Sequence, residues 1–310
     1  MKTRIINTII ALAGILALNV ACQREDFLSP EGNGAQDGYV TLRFNVEVPD
    51  MDVVQTKAVD PDGGGVQQIS VFCFDKNDLF ITVTTAKVTA DSGNPSLSGK
   101  FEVSVPEHAV TLQLVGNQNL TYFREENYRG MSEIDVMAAL EASAGRMIYW
   151  ARKTVAELRQ SNTPATAVKL LRNQAKVTLS VDASVDFEQK GWIVVNSNAF
   201  GTVAPYDPVA EEFAAPTLAN PFITVPDNQS KLGDFLDVRT NAEEYIFESP
   251  NSASEPIDFI VKGSQNGGPD KYYRISIIDK DGEYLPILRN HHYTVNIVPR
   301  PLTMWWGSWL

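Results

Sequence analysis

The 310-residue chain has little of the side-chain chemistry on which most enzymes and metalloproteins depend. It contains only three histidines, His108, His291 and His292, and two cysteines. It has no Gly-x-Ser-x-Gly elbow, phosphate-binding glycine loop, dinucleotide fingerprint or His-Glu-x-x-His motif. Adjacent histidines in a strand point to opposite faces, so His291 and His292 are not expected to chelate one ion. These absences predict a protein without catalytic activity, bound metal or cofactor.

The scarcity of cysteine excludes a disulfide framework. Cys73 lies in an apolar, strand-like run, residues 69–74, where we expect a buried and chemically inert thiol. The other cysteine, Cys22, follows a targeting segment and is not available for pairing if it is lipidated. No intrachain disulfide is then possible, and the stability of the fold must come from its apolar core.

The N-terminal apolar run, residues 5–18, is too short to span a membrane as a helix. It follows Lys2 and Arg4 and leads through small residues to Cys22. This pattern predicts a signal peptide over residues 1–21. The cysteine directly after it resembles a bacterial lipobox, which implies a lipid anchor on Cys22. Residues 23–26 resemble the acidic signal that sends Bacteroidetes lipoproteins to the outer face of the outer membrane.

Positive charge is also scarce. The chain has 26 Lys and Arg residues against 38 Asp and Glu residues, a net charge of −12. Removal of residues 1–21 takes away Lys2 and Arg4 and leaves 24 positive residues, which lowers the net charge to −14. An acidic protein of this kind is repelled by nucleic acids and by anionic lipid surfaces, so we expect neither as a partner.

Short alternating segments typical of β-strands make up most of the remaining sequence. Residues 22–37 are rich in Ser, Pro, Glu, Gly and Asn, which indicates a flexible tether. Val40, Leu42, Phe44 and Val46 then alternate with polar residues in the clearest amphipathic strand of the chain. An open stretch is predicted over residues 49–65, and further strands are predicted at 68–75, 79–85, 99–105 and 110–115. Short strands separated by turn residues predict antiparallel β-sandwiches.

Helices are few in this pattern. Ser132 is a candidate cap for one helix, with Ile134, Met137 and Leu140 on its apolar face, and residues 153–160 predict a further helical turn. The linker candidate at residues 161–166 divides the chain into an N-terminal domain, 38–165, and a C-terminal domain, 166–310. We therefore predict a mostly β protein of two domains, with one or two short helices in the first.

The last segments of the chain are predicted to be neighbouring strands of one sheet. Residues 272–278 and 287–298 both carry strand patterns, and Asp281-Gly282 between them is a tight-turn pair. Beyond them, three large aromatic side chains crowd the C-terminal end: Trp305, Trp306 and Trp309. Such a tail is expected to pack either on its own domain or on a partner.

One run in this region is distinctive: Leu288-Arg289-Asn290-His291-His292-Tyr293, with Val295 and Ile297 behind it. Smaller blocks precede it at 171–172, 175–177, 192, 245–249, 261–263 and 272–274. Together these blocks, which span most of residues 38–298, resemble the fimbrillin family of Bacteroidetes, whose members are subunits of surface fimbriae.

The resemblance implies two transthyretin-like β-sandwich domains and assembly by strand exchange. In fimbrillins a surface protease specific for arginine or lysine cuts the lipidated precursor after its first strand, and a strand from the next subunit fills the groove. The removable strand would carry four plug residues here: Val40, Leu42, Phe44 and Val46. The cut would fall between Lys57 and Ala58, and residues 299–310, with the three tryptophans, would be the donor or a clasp.

One departure from the family pattern leaves alternatives open. The usual Thr-Arg-Ala is Thr56-Lys57-Ala58 in this chain, which an arginine-only protease would not cut. An uncut protein would keep its lipid and first strand and act as a fimbrial anchor or tip subunit. A different class of function, glycan capture, would use exposed tryptophans that stack on sugar rings. The expected partners are other fimbrial subunits, the outer membrane through Cys22, and host or bacterial surface receptors.

Overall fold

The computed structural model describes residues 38–49, 51–53, 65–66, 68–90, 98–226, 230–233, 238, 240, 243–279 and 281–298. Over these ranges the protein is mostly β with two short α-helices, and both helices lie before residue 165, as predicted. None of the helices seen there has the length and apolar character needed to cross a membrane.

The strands of the described residues are numbered in chain order: β1 Tyr39–Glu47, β2 Asp52–Val53, β3 Ile69–Phe74, β4 Phe80–Ala90, β5 Ser98–Pro106, β6 Thr111–Gly116, β7 Glu141–Ser143, β8 Tyr149–Thr154, β9 Val168–Lys169, β10 Leu171–Arg172, β11 Ala175–Val181, β12 Phe187–Val195, β13 Ser197–Asn198, β14 Phe200–Thr202, β15 Tyr206–Asp207, β16 Glu212–Phe213, β17 Lys231–Leu232, β18 Glu244–Ile246, β19 Asp258–Gln265, β20 Lys271–Ser276 and β21 His291–Ile297. The helices are α1 Glu133–Ala138 and α2 Val155–Gln160, with 3₁₀ turns at Glu125–Asn127 and Pro164–Thr166.

The largest sheet has eight strands in the order β10-β8-β6-β3-β4-β5-β1-β9. Its long strand β4 pairs with β3 from Phe80 to Ala86 and with β5 from Lys87 to Ala90. Side chains of β1 and β5 are buried in one apolar core together with side chains of β3, β6 and β8. In the strand order of the sheet, β4 separates the first two strands from the other three. The sheet must therefore fold over at β4, which makes it a sandwich with β1 and β5 in one layer.

Two smaller sheets enclose a second core. One has the order β18-β11-β21-β2 and the other the order β12-β19-β20. Their inward side chains form one cluster, in which Trp192 and Phe259 stack with ring centroids 5.1 Å apart. Among the described strands pairing is antiparallel, as predicted, except in three pairs: β1 with β9, β11 with β21 and β2 with β21 are parallel.

A third apolar cluster lies on the other face of β3, β6 and β8. It combines side chains from before and after residue 165: Phe72, Phe74, Val136, Met137, Trp150, Val203 and Phe247. A short ladder between β7 and β14 joins the same two parts of the chain. The parts are therefore packed together through an apolar layer, and the boundary near residue 165 stays a prediction.

The two helices begin at side chains that satisfy their first backbone N–H groups. Ser132 Oγ accepts a hydrogen bond of 3.2 Å from the Asp135 N–H at the start of α1, as predicted. At α2, Thr154 and Glu157 cap each other, since the Thr154 hydroxyl accepts from the Glu157 N–H and the Glu157 carboxylate accepts from the Thr154 N–H. Such caps contribute about 1 kcal/mol each.

Met137 of α1 and Leu140 just after it are buried, as predicted, but the prediction is wrong for Ile134. Ile134 is exposed, whereas Val136 is fully buried. The cause is Glu133, whose buried carboxylate accepts hydrogen bonds from Gln113 and Arg152. Turning this carboxylate inward places the next residue, Ile134, on the solvent side.

The prediction that the closing segments are neighbouring strands is wrong. β20 pairs with β19, while β21 lies in the other sheet beside β11. Asp281 and Gly282 do lie in a turn, with Gly282 at φ 89°, but this turn leads back to a bridge between Ile278 and Tyr284. Ile287, which follows this turn, is fully buried and bridges to Ser249 before β21 begins. The turn residues thus fix where the chain reverses but not which sheet it joins afterwards.

Cys73 is fully buried in β3, as predicted. Its position in the apolar core disfavours the thiolate, and this burial raises the pKa of the Cys73 thiol from 9.0 to about 12.

The free energy of unfolding should therefore fall as pH rises above 9, because Cys73 loses its proton in the unfolded chain before it does so in the folded one. This residue should lower stability by about 1 kcal/mol between about pH 8 and about pH 10. Urea denaturation of a chain that lacks residues 1–22 measures the effect. The matched variant Cys73→Ala should be less stable throughout but show a shallower decline with pH. Equal declines would contradict this assignment.

Candidate functional site

The candidate site is the place that β1 occupies beside β5, which we call the first-strand groove. β1 pairs with β5 along all nine of its residues, from Tyr39 opposite Pro106 to Glu47 opposite Ser98. On its other side it pairs with β9 only at Val46 and Glu47. β1 is thus held by one long ladder and one short one.

The inward face of β1 fills the apolar core of the sandwich. Leu42 and Phe44 are each 2% exposed and Val46 is 3% exposed, while Val40 is partly buried against the same cluster. The Phe44 ring stacks on Phe101 of β5, with centroids 5.7 Å apart. These four predicted plug residues therefore share one face of one strand and enter one core. Full burial of each such side chain is worth about 1.5–3 kcal/mol.

The outward face of β1 is polar and adds little to its attachment. Thr41 Oγ1 lies 3.3 Å from Ser104 Oγ, and Arg43 Nε donates to Glu102 Oε2 at 2.7 Å. Both pairs are exposed, and exposed ion pairs contribute about 0–1 kcal/mol. The attachment of β1 therefore comes mainly from the β5 ladder and from the buried plug residues.

Asn45 is a polar residue of β1 that is nevertheless buried, at 4% exposure. Its backbone N–H donates to the carbonyl of Ser161 at 2.7 Å, just after α2. Its side-chain Oδ1 has no hydrogen-bond partner in the part of the chain that the structure describes. A buried acceptor without a partner costs about 1–3 kcal/mol. The backbone N–H of Asn45 thus helps to hold β1, whereas its side-chain oxygen lowers the stability of β1 in this place.

The prediction of an open stretch from residue 49 is wrong at its start, while residues 54–64 of that stretch lie outside the described residues. Met51 is buried, and β2 pairs in parallel with β21 at His291 and His292, at the edge of the four-stranded sheet. In the sequence, the apolar residues Met51 and Val53 were the only indication of this short strand. The pattern is too short to distinguish a two-residue strand from a loop.

Arg172 holds this segment from the core side. Its buried guanidinium donates through Nη1 to the carbonyl oxygen of Pro49 at 2.5 Å and to Asn290 Oδ1 at 3.3 Å. Arg172 and Asn290 both belong to the sequence blocks that resemble fimbrillins. In this fold they attach residues 49–53 to the C-terminal sheet.

Arg289, in the same C-terminal block, ties distant segments together. Its side chain is 1% exposed and forms an ion pair of 2.6 Å with Glu248. It also donates to Thr202 Oγ1 at 2.7 Å and to the Val203 carbonyl at 2.9 Å. The charge is thus compensated by a carboxylate and by oxygens of β14 and the residue after it. Sequence reasoning found the block but not these partners.

The two adjacent histidines have separate structural partners. His291 Nδ1 lies 2.8 Å from the Arg289 carbonyl oxygen, and His292 Nε2 lies 2.9 Å from Thr178 Oγ1. Over the described ranges no group of three or more His, Cys, Asp or Glu side chains could hold a metal ion. Both histidines therefore serve to position β21.

Several predicted site residues lie outside the described residues: Cys22, Lys57, Ala58, Trp305, Trp306 and Trp309. Their roles in lipidation, cleavage and strand donation stay predictions.

Comparison with known proteins finds structural likeness at low sequence identity. A fimbrial assembly protein from Parabacteroides distasonis is 16% identical, with a TM-score of 0.49, and the match covers 83% of this chain and 91% of that one. The tip fimbrial protein Mfa3 from Porphyromonas gingivalis, solved with a C-terminal truncation, is 14% identical with a TM-score of 0.49 and coverages of 84% and 96%. No family model and no curated protein matches the chain. Identities this low carry no function from either protein to this one.

The buried ion pair predicts a large stability difference between two glutamates. Glu248→Ala leaves the Arg289 charge buried without its carboxylate, which should cost about 3–5 kcal/mol of unfolding free energy. The matched control Glu102→Ala removes the partner of exposed Arg43 and should cost less than about 1 kcal/mol. Urea denaturation of the two variants measures both changes. Similar costs would show that Arg289 does not tie the C-terminal block to the fold.

Proposed function

We propose that the protein is a structural and adhesive subunit of cell-surface fimbriae, without catalytic activity, that assembles with other fimbrial subunits by strand exchange. It is exported as a lipoprotein, loses residues 1–21, and is anchored at the outer membrane, facing outward, through a lipid on Cys22. Its two transthyretin-like sandwich domains comprise residues 38–165 and 166–310.

The position of β1 is the observation that carries this proposal. Strand exchange requires a segment that pairs with a sheet edge through its backbone and fills pockets with every second side chain. β1 meets both conditions, because it pairs with β5 over its full length and buries Leu42, Phe44 and Val46. A strand from a second copy with apolar residues at every second position can make the same contacts.

Proteolysis supplies the driving force in this scheme. While residues 49–57 connect β1 to the fold, β1 acts as an intramolecular ligand whose effective concentration is about millimolar. A cut after Lys57, before Ala58, ends this high effective concentration, so that β1 can dissociate. The tail of another subunit, residues 299–310 with its three tryptophans, then occupies the first-strand groove. The buried Asn45 Oδ1, which has no hydrogen-bond partner among the described residues, favours the exchange. An incoming strand without an amide side chain at that position avoids the free-energy cost of an unpaired buried acceptor.

A second role in the same structure is favoured by one observation, the lysine at position 57. If the surface protease of the producing cell accepts only arginine, the subunit keeps its lipid and β1 and serves as the fimbrial anchor or tip. Contacts with host or bacterial receptors belong to either role.

A disulfide between β1 and β5 tests whether β1 leaves its place. Thr41 and Ser104 face each other across the ladder with side-chain oxygens 3.3 Å apart, so cysteines at both positions lie within disulfide reach. Buried Cys73 does not compete for pairing. The double variant Thr41→Cys/Ser104→Cys should fold and reach the surface but not form fibres under oxidising conditions.

Addition of dithiothreitol should restore fibre formation by the double variant, and Thr41→Cys alone should assemble under both conditions. Electron microscopy of surface fibres, with mass spectrometry of the cross-linked peptide, provides the readout. Fibres built from fully cross-linked subunits would contradict strand exchange. A glycan-capture protein would bind its ligand equally well with the disulfide open or closed.

A further inference from the structure

The segment that the proposed cut would release is longer than β1. It continues through Pro49 and Met51 into β2, and so occupies the edge of the four-stranded sheet as well as the first-strand groove. Only residues 49–51 separate buried Val48 of the groove from β2, a span of about 10 Å in an extended chain. The two binding places are therefore continuous.

Loss of the segment that contains β1 and β2 would expose apolar surface and would also remove partners of polar groups. Arg172 would lose the carbonyl of Pro49 as an acceptor, and the core would lose Met51. The backbone of β21 at His291 and His292 would lose its neighbour. Buried charged donors and open strand edges are both costly when their partners are removed. A donor strand that replaced only β1 would leave Arg172 with Asn290 Oδ1 but without the Pro49 carbonyl, and would leave this edge of β21 open.

We propose that the edge of β21, with Arg172 behind it, is a second acceptor site for the incoming subunit, so that one donor segment spans two sheets. The occupant is an extended segment from a second copy of this chain. Three features define it: it fills the first-strand groove, it presents a carbonyl to Arg172, and it then runs parallel to β21. This proposal rests on the proposed function, because the site opens only if β1 is exchanged.

Peptides of two lengths test the second site on the full-length chain. A site-specific protease sequence placed directly after Lys57 allows the folded protein to be cut there. Fluorescent peptides with the sequences of residues 38–48 and 38–53 are then added, and their binding to the cut chain is followed by anisotropy. The longer peptide should bind about tenfold tighter or more, since it adds the Arg172 hydrogen bond and the β21 pairing.

Two further variants locate the source of the difference. Arg172→Met should remove most of the advantage of the longer peptide and leave the shorter one unchanged, whereas Arg124→Met, at an exposed arginine, should change neither. A longer peptide with proline at positions 52 and 53 lacks the N–H groups of β2 and should also bind more weakly, with the acceptor chain left unaltered.

The outcomes separate this proposal from the one on which it rests. Equal affinities of the two peptides, or an advantage that survives both Arg172→Met and the proline changes, would overturn the second site while strand exchange stands. Failure of both peptides to enter the cut chain would overturn strand exchange itself, and the second site with it.

Discussion

The ladder between β1 and β5 holds in place the strand that completes the N-terminal sandwich core. It closes the sandwich core at the one layer where the neighbouring strand on the other side, β9, is too short to do so. Without β1, the apolar faces of β5 and of the strands opposite it would meet water, at about 25 cal/mol for each Å² uncovered. The sandwich core therefore needs an extended strand at this place, and in this chain β1 supplies it. Under the proposed strand exchange, the precursor and the polymerised subunit would be two forms of one fold.

Two buried arginines hold together segments that are distant in the sequence. Arg172 binds the chain just after β1, and Arg289 binds Glu248 and the end of β14. A buried guanidinium requires several fixed acceptors, because an unpaired charge in a core costs several kcal/mol. Each arginine therefore restricts the positions of all segments that supply its acceptors. The two blocks that contain Arg172 and Arg289, by which the sequence resembles fimbrillins, are thus parts of the architecture, which explains why they contain polar residues that are buried.

The sequence predicts the local features well, because they depend on neighbouring residues. The alternation from Val40 to Val46, the cap at Ser132 and the burial of Cys73 each follow from a short pattern and are seen in the structure. Features that depend on distant partners could not be predicted. The placement of β21 beside β11 instead of β20, the two-residue β2, and the inward turn of Glu133 toward Arg152 all arise from contacts between remote segments. The sequence predicts that β1 is an amphipathic strand, but only the structure shows that its one long ladder is with β5.

The most direct test of the account is the N-terminus of subunits isolated from assembled fibres, read by mass spectrometry with any lipid retained. Strand exchange predicts chains that begin at Ala58, with β1 and β2 absent from the fibre. Fibre subunits that begin at an acylated Cys22 would contradict it, because the first-strand groove would then still be filled by the subunit's own strand.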